Sequence, residues 1–240
     1  HAIRNLNRIA MGTAKMRWSQ TGYGRTSSTS VAQETPRNLF GFKDGTNNIK
    51  SEDGDAKLNE HLWVQKGDDS GADWMTGGTY FVVRKIHMFA EMWDNLRLIE
   101  QEQTFGRDKR YGAPLNVTAP TSGKDEFKPI DFKAKNKEGE LEVPEDSHIA
   151  IVNPEQNKGR WMLRRGYNYT EGSDALGRLS AGLFFIAFVR DPRTNFYPIL
   201  DKMTQKDALS EYLQHQARAL FAIPAGIGQS DTMVGQALFS

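Results

Sequence analysis

The ten residues Thr79 to Met88 (Thr-Tyr-Phe-Val-Val-Arg-Lys-Ile-His-Met) constrain the fold more than any other segment. Their β-branched and aromatic side chains predict a strand. Immediately afterwards Phe89, Met92, Trp93 and Leu96 recur at helical spacing. The apolar period therefore switches from two to 3.6 within a few residues. A sheet buries one face, and a helix that follows a strand this closely is expected to cover it.

The same grammar recurs downstream. His148 to Val152 and Trp161 to Tyr169 read as extended, and Leu183 to Val189 as an apolar strand. Thr204-Gln205-Lys206-Asp207 looks like a helix-capping box, with Leu209, Tyr212, Leu213 and Leu220 as the stripe of a second helix. Phe221 to Ile223 predicts a final short strand. The order β-α-β-β-α-β is that of an α+β, ferredoxin-like domain, an antiparallel sheet with helices on one face. Upstream, Ala2 to Ala14 predicts an amphipathic helix with Ile3, Leu6, Ile9 and Ala10 on one side, and Ser19 to Arg37 a long polar loop. The Asp68 to Asp73 patch predicts a solvated loop, because its spacing is not that of an EF-hand. Lys124 to Glu142 predicts a weakly ordered loop or hairpin.

Composition narrows the chemistry. A formal charge of +1 over 240 residues gives no basic stretch for nucleic acid, and no apolar run is long enough to span a membrane. With no cysteine there is no disulfide, thiolate metal site or thiol nucleophile. Because the chain starts inside a helical pattern, at His1, it is expected to be part of a longer polypeptide.

Three local features could carry a reaction. His148 opens an apolar run after Glu145-Asp146-Ser147, where a side chain can project into a pocket. No second histidine lies at zinc spacing, so a lone axial imidazole fits haem better than zinc. Spacing alone leaves it open whether His148 is a ligand or a structural histidine. His87 and His215, at a strand end and on the polar side of the second helix, read as structural. Gly41-Phe42-Lys43-Asp44-Gly45 sets a carboxylate between glycines that allow a tight turn, and a self-capping Asp turn explains it equally. Arg164, in Leu163-Arg164-Arg165-Gly166, would need a partner if buried, or faces water if not.

Taken in order, these segments resemble one family. Gly41 to Thr46 is similar to the Gly-x-x-Asp-Gly signature of dye-decolourising haem peroxidases. Ser147-His148-Ile149 with Asn153-Pro154 resembles their proximal-histidine segment, and Leu163 to Gly166 their distal-arginine segment. Gln103 to Arg107 and Gly182 to Phe185 extend the likeness over nearly the whole chain, and Arg37 to Thr46 points to the secreted deferrochelatase/peroxidase branch.

The resemblance implies a two-lobed, dimeric-ferredoxin-like peroxidase of which this is the C-terminal half. Residues 1–50 would be the tail of the N-terminal lobe and the interdomain segment, and residues 51–240 the haem-binding domain. It implies haem b with His148 as iron ligand and Asp207 as the acceptor of its other N–H, although Asp207 could equally serve the capping box. Asp44 would move protons on peroxide, Arg164 would stabilise the developing charge, and Asn48 would order the distal water or peroxide. Gly45, Thr46 and Asn47 would approach the haem edge, Asn153, Pro154, Glu155 and Arg107 the propionates, and Leu183 and Phe185 the dry distal wall. The implied activity is hydrogen peroxide-dependent oxidation of dyes, phenols or porphyrinogens. Iron release from haem or ferrous iron oxidation for an uptake system is an alternative, and so is a non-catalytic haem-binding module. The resemblance further implies the missing N-terminal half as a companion, contact with iron-uptake proteins, a homo-oligomer, and export outside the cytoplasm by a twin-arginine signal that this chain lacks.

Overall fold

The computed structural model describes residues 1–239. In chain order its elements are α1 (Ala2–Ile9), α2 (Gly54–His61), β1 (Thr79–Met88), α3 (Ala90–Asp94), α4 (Leu98–Phe105), α5 (His148–Val152), β2 (Leu163–Arg164), β3 (Tyr167–Ser173), β4 (Leu179–Val189), α6 (Pro192–Asn195), α7 (Tyr197–Lys206) and β5 (Leu213–Ile223). The sheet runs β2-β4-β1-β5, and β3 continues alongside β2 on the same edge of β4. Counting β2 and β3 as one interrupted strand, the spatial order is fourth, first, third, second, and every pair is antiparallel. That is the ferredoxin-like arrangement expected from the sequence.

Strand alternation decides which side chains meet. Val82, Ile86 and Met88 of β1 share a face with Leu183, Phe185, Ala187 and Val189 of β4, as the register Val82↔Ala187 and Ile86↔Leu183 requires. Phe196 and the α7 residue Leu200 pack on Val82, Ala187 and Val189. Trp93, 0% exposed, packs with Phe40, Phe42, Phe105 and Met88. Each such buried side chain stabilises the fold by roughly 1.5–3 kcal/mol. Gly182 leaves no room for a side chain against β1, since a Cβ there would lie 1.9 Å from the Ile86 carbonyl oxygen. Gly182→Ala is therefore expected to cost at least about 2 kcal/mol, since the strands must part. Urea unfolding measures this, and a wild-type midpoint would refute the close-approach argument.

Several expected elements differ. His148 to Val152 is a helix, not a strand. The second helix is α7, which ends at Lys206. Asp207 is its C-cap, with ψ 114, so the chain leaves helical geometry there. The expected stripe of Leu209, Tyr212, Leu213 and Leu220 falls on a 3-10 turn (Ala208–Tyr212) and on β5. Thr204 caps nothing, since its hydroxyl donates back to the Leu200 carbonyl at 2.9 Å. His215 accordingly sits on β5 rather than on a helix. Trp161 to Tyr169 is extended only in two pieces, β2 and β3. The first helix stops at Ile9, and none of its residues is buried. In the charged insert, Gly123–Phe127 is a 3-10 turn and Lys135 bridges Leu141. Asp68 pairs with Arg190. No helix among the described residues is long and apolar enough to cross a membrane.

Candidate active site

Between the covered sheet face, α5, α7 and the loop at residues 38–47 lies a cavity that is partly open to solvent. Its walls bring together segments far apart in sequence: Asp44 to Asn47, His148, Asn153, Pro154, Arg164, and the β4 pair Leu183 and Phe185.

His148 is held by how α5 begins and ends. Ser147 is extended (φ −63, ψ 148), and its hydroxyl donates to the Pro144 carbonyl at 2.6 Å, so helix starts at His148. Asn153 must avoid helical geometry because Pro154 follows, and its φ −61, ψ 135 ends the helix after one turn. Asp207 approaches from the end of α7. Its Oδ1 accepts from the Leu209 N–H at 3.0 Å, which fixes the carboxylate, and its Oδ2 lies 2.7 Å from His148 Nδ1. The Asp207 side chain is 1% exposed. Burial pushes the His148 ring down, but the Asp207 charge and hydrogen bond, aided by Asp44, outweigh it and leave the ring above its ordinary pKa. In the neutral ring, with Nδ1 donating to Asp207, the nitrogen that carries the free lone pair is Nε2.

Asp44 is placed by an unusual turn. Gly41 and Gly45 have φ +84 and +111, values that disfavour other residues, and a Cβ at Gly45 would meet Ser27 at 2.7 Å. Arg37 pins the turn by donating to the Gly41, Lys109 and Arg110 carbonyls at 2.6–2.7 Å. Phe42 stacks on Phe105 at 4.1 Å and Phe40 on Trp93 at 4.4 Å, which anchors the loop to α4 and α3. The result is a 2.8 Å pair between Arg164 Nη1 and Asp44 Oδ1. Asp44 Oδ2 has no protein partner among the described residues.

Asn48 does not line the cavity. Its Oδ1 accepts from the Arg164 N–H at 2.8 Å, and its Nδ2 donates to the Arg164 and Ser28 carbonyls at 3.1 and 3.0 Å. Its amide is fully used in tying β2 to the Asp44 loop, so it reaches the site only through Arg164. Glu155 and Asp207 also stand outside the lining, Asp207 acting through His148. Arg107 does line the cavity. Its Nη1 donates to the Gly112 and Glu126 carbonyls at 2.7 and 2.9 Å, and burial brings its pKa down to about 10 despite Glu126 nearby.

Glu126 carried no sequence signal for the site. Its Oε1 pairs with Lys43 at 2.7 Å and its Oε2 accepts from the Thr46 hydroxyl at 2.7 Å, so one carboxylate grips both sides of Asp44. Arg84 was likewise unremarked, an arginine inside an apolar strand that also lines the cavity.

A family model described as Dyp-type peroxidase, C-terminal, matches residues 35–228. The chain is 36% identical over 226 residues to a dye-decolorizing peroxidase of Thermobifida fusca, covering 93% of this chain and 51% of that protein. It is 34% identical to a deferrochelatase of Yersinia pseudotuberculosis, covering 99% and 53%. Among solved structures it is similar to ferric DtpA from Streptomyces lividans, with a TM-score of 0.87, 37% identity, and coverage of 99% of this chain and 62% of that one. The chain thus spans about half the length of the curated relatives it matches.

Proposed function

The chain belongs to the Dyp-type peroxidase family, and from that premise we propose that it is the haem b-binding part of a peroxidase that reduces hydrogen peroxide and oxidises dyes, phenols or porphyrinogens. One observation carries the reading: a single cavity is lined both by His148, backed by a buried carboxylate, and by the Asp44–Arg164 pair.

The residues present fit a haem. The cavity has apolar walls from Leu183, Phe185, Leu200 and Met203 for a flat macrocycle, and an imidazole whose Nε2 is free. Its lining also includes two cations, Arg107 and Arg160, which suit two carboxylates. Bound haem would supply an iron centre that exchanges electrons with peroxide and then with a reductant. The rest is the work of this chain. His148 Nε2 would hold the iron, and Asp207 fixes the ring's tautomer and orientation, a support typically worth 10–100-fold in metal affinity, as a rough guide. Asp44 Oδ2 would take a proton from the near oxygen of peroxide and return it to the departing one. Arg164 holds Asp44 in place and would stabilise negative charge as the O–O bond lengthens. Leu183 and Phe185 would exclude bulk water there.

The test is reconstitution with haemin. A Soret band is expected in the wild type and a loss of about tenfold or more in haem affinity in His148→Ala, with peroxide-dependent dye oxidation in the loaded protein. No Soret band at any haemin excess would sink the reading. Binding without turnover would favour a haem-carrying module instead. A second reading, release of iron from haem, is favoured by the deferrochelatases that match 99% of the chain. It predicts ferrous iron captured by a chelator while the porphyrin stays intact.

We also propose that full activity needs the half of the family's length that this chain does not span. The outer sheet face, where Phe81 stacks on Phe188 at 5.0 Å and Phe221 is 45% exposed, is an apolar surface such a partner would cover. An extracytoplasmic location belongs to the same proposal and rests on the resemblance of Arg37 to Thr46 to the secreted branch.

A further inference from the structure

Arg84 lies mid-strand in β1, opposite Phe185, on the sheet face that lines the cavity. Its neighbours on that face, Val82, Ile86 and Met88, are buried and apolar, and Arg84 itself is only 7% exposed. A buried guanidinium is costly unless a negative group answers it. Here the one side-chain hydrogen bond of Arg84 among the described residues runs from Nη2 to His215 Nδ1 at 2.8 Å. Its carbon stands 6.0 Å from the Phe196 ring. The charged group acting on it is Arg218, of the same sign. Burial and Arg218 together bring the guanidinium down to about 10. Burial and Arg84 push His215 down to about 4, so His215 is a neutral acceptor at ordinary pH and not a counter-ion. Two other arginines of the cavity lining differ: Arg164 has Asp44, and Arg107 has two carbonyls and the Glu126 charge nearby. Among the described residues, Arg84 alone of these three is left with most of its side-chain donors unused and no carboxylate paired with it.

We propose that Arg84 binds a carboxylate carried by the molecule that fills the cavity, with His215 holding the guanidinium in orientation. A planar guanidinium offers a two-toothed grip that suits a carboxylate. Two sources share this chemistry, a porphyrin propionate and an aromatic carboxylic acid bound beside it. The first rests on the haem-binding reading above, and the second does not.

The proposal has a sign that a structural arginine would not show. In the empty cavity the uncompensated charge opposes folding, and in the filled cavity it favours binding. Arg84→Met, which keeps length and removes charge, is therefore expected to raise the melting temperature of the ligand-free protein. Binding is then titrated with haemin, haemin dimethyl ester and benzoate, followed by absorbance and calorimetry. If the propionate is the ligand, haemin affinity falls about 10–100-fold in Arg84→Met, Arg84→Lys recovers part of it, and the ester binds both proteins alike. If the aromatic acid is the ligand, benzoate binding falls with Arg84→Met and haemin binding does not. A lower ligand-free melting temperature together with wild-type binding of both haemin and benzoate would overturn the proposal and make Arg84 structural. Failure of the wild type to take up haemin would sink the haem reading, while the benzoate and ligand-free arms would still decide on Arg84.

Discussion

Asp44→Asn is expected to slow the reaction of the haem-loaded protein with hydrogen peroxide by about 10²–10⁴-fold while haem uptake stays at the wild-type level. The substitution is close to isosteric. Its amide oxygen can still accept from Arg164 Nη1, the 2.8 Å contact that fixes the side chain now. What disappears is the second oxygen, which has no protein partner among the described residues and is the one atom of the pair able to take up a proton. A loss of rate without loss of haem thus separates a proton-carrying role from a packing role. Arg164→Leu should cost about 10²–10³-fold. The double variant should cost less than the product, because the two side chains touch and each single change already breaks their contact. Stopped-flow absorbance resolves these rates. Equal peroxide rates in wild type and Asp44→Asn would mean that the Gly41–Gly45 turn serves only the backbone.

The same turn shows what the sequence made legible. Its glycines, its carboxylate and its place before a strand–helix pair stood out locally, because positive φ and tight turns leave marks in residue type. β1 and β4 were legible for a similar reason. They lie inside the sheet, so burial imposes a pattern on them. β5 lies at the sheet edge, with most of its residues exposed, and nothing in Gln214 to Ala217 enforces alternation. The apolar residues 209–220 could therefore be matched to a helical stripe that the chain does not form. Pro198, near the N-terminus of α7, was the available signal for where that helix begins. His148 to Val152 is five apolar or aromatic residues long, too short for its period to tell helix from strand, and Pro154 sets its end. Asp207 could be read as a member of the Thr204 capping box or as the partner of His148; the box does not form, and the structure gives one carboxylate oxygen to His148 and the other to the Leu209 N–H of the 3-10 turn that follows α7. Asn48 and Glu126 needed tertiary contacts. Their partners lie 116 and 83 residues away, so no local pattern encodes them.

Glu126→Ala is expected to destabilise the protein by about 3–5 kcal/mol, the cost of stripping one partner from a buried ion pair. The Glu126 side chain is 3% exposed and that of Lys43 6%, so neither charge can turn to water when the other is lost. The change leaves the Lys43 ammonium with the Gly123 carbonyl at 3.2 Å as its remaining protein acceptor. It also leaves the Thr46 hydroxyl without the acceptor it has at 2.7 Å. Lys43 and Thr46 flank Asp44 by one and two positions, so the loop that presents Asp44 loosens with them. Pairing the change with Lys43→Met removes the stranded charge. The double variant should therefore be more stable than Glu126→Ala alone, as measured by urea unfolding. The two variants then separate folding from function. If Lys43→Met/Glu126→Ala recovers stability but not the peroxide rate, the buried pair serves to hold Asp44 in register. If the rate recovers together with stability, the hydrophobic anchors Phe40 and Phe42 suffice to place Asp44, and the ion pair contributes only to the fold. A Glu126→Ala protein as stable as the wild type would refute the burial argument itself, since an unpaired ammonium at that site must cost free energy unless the insert opens to solvent.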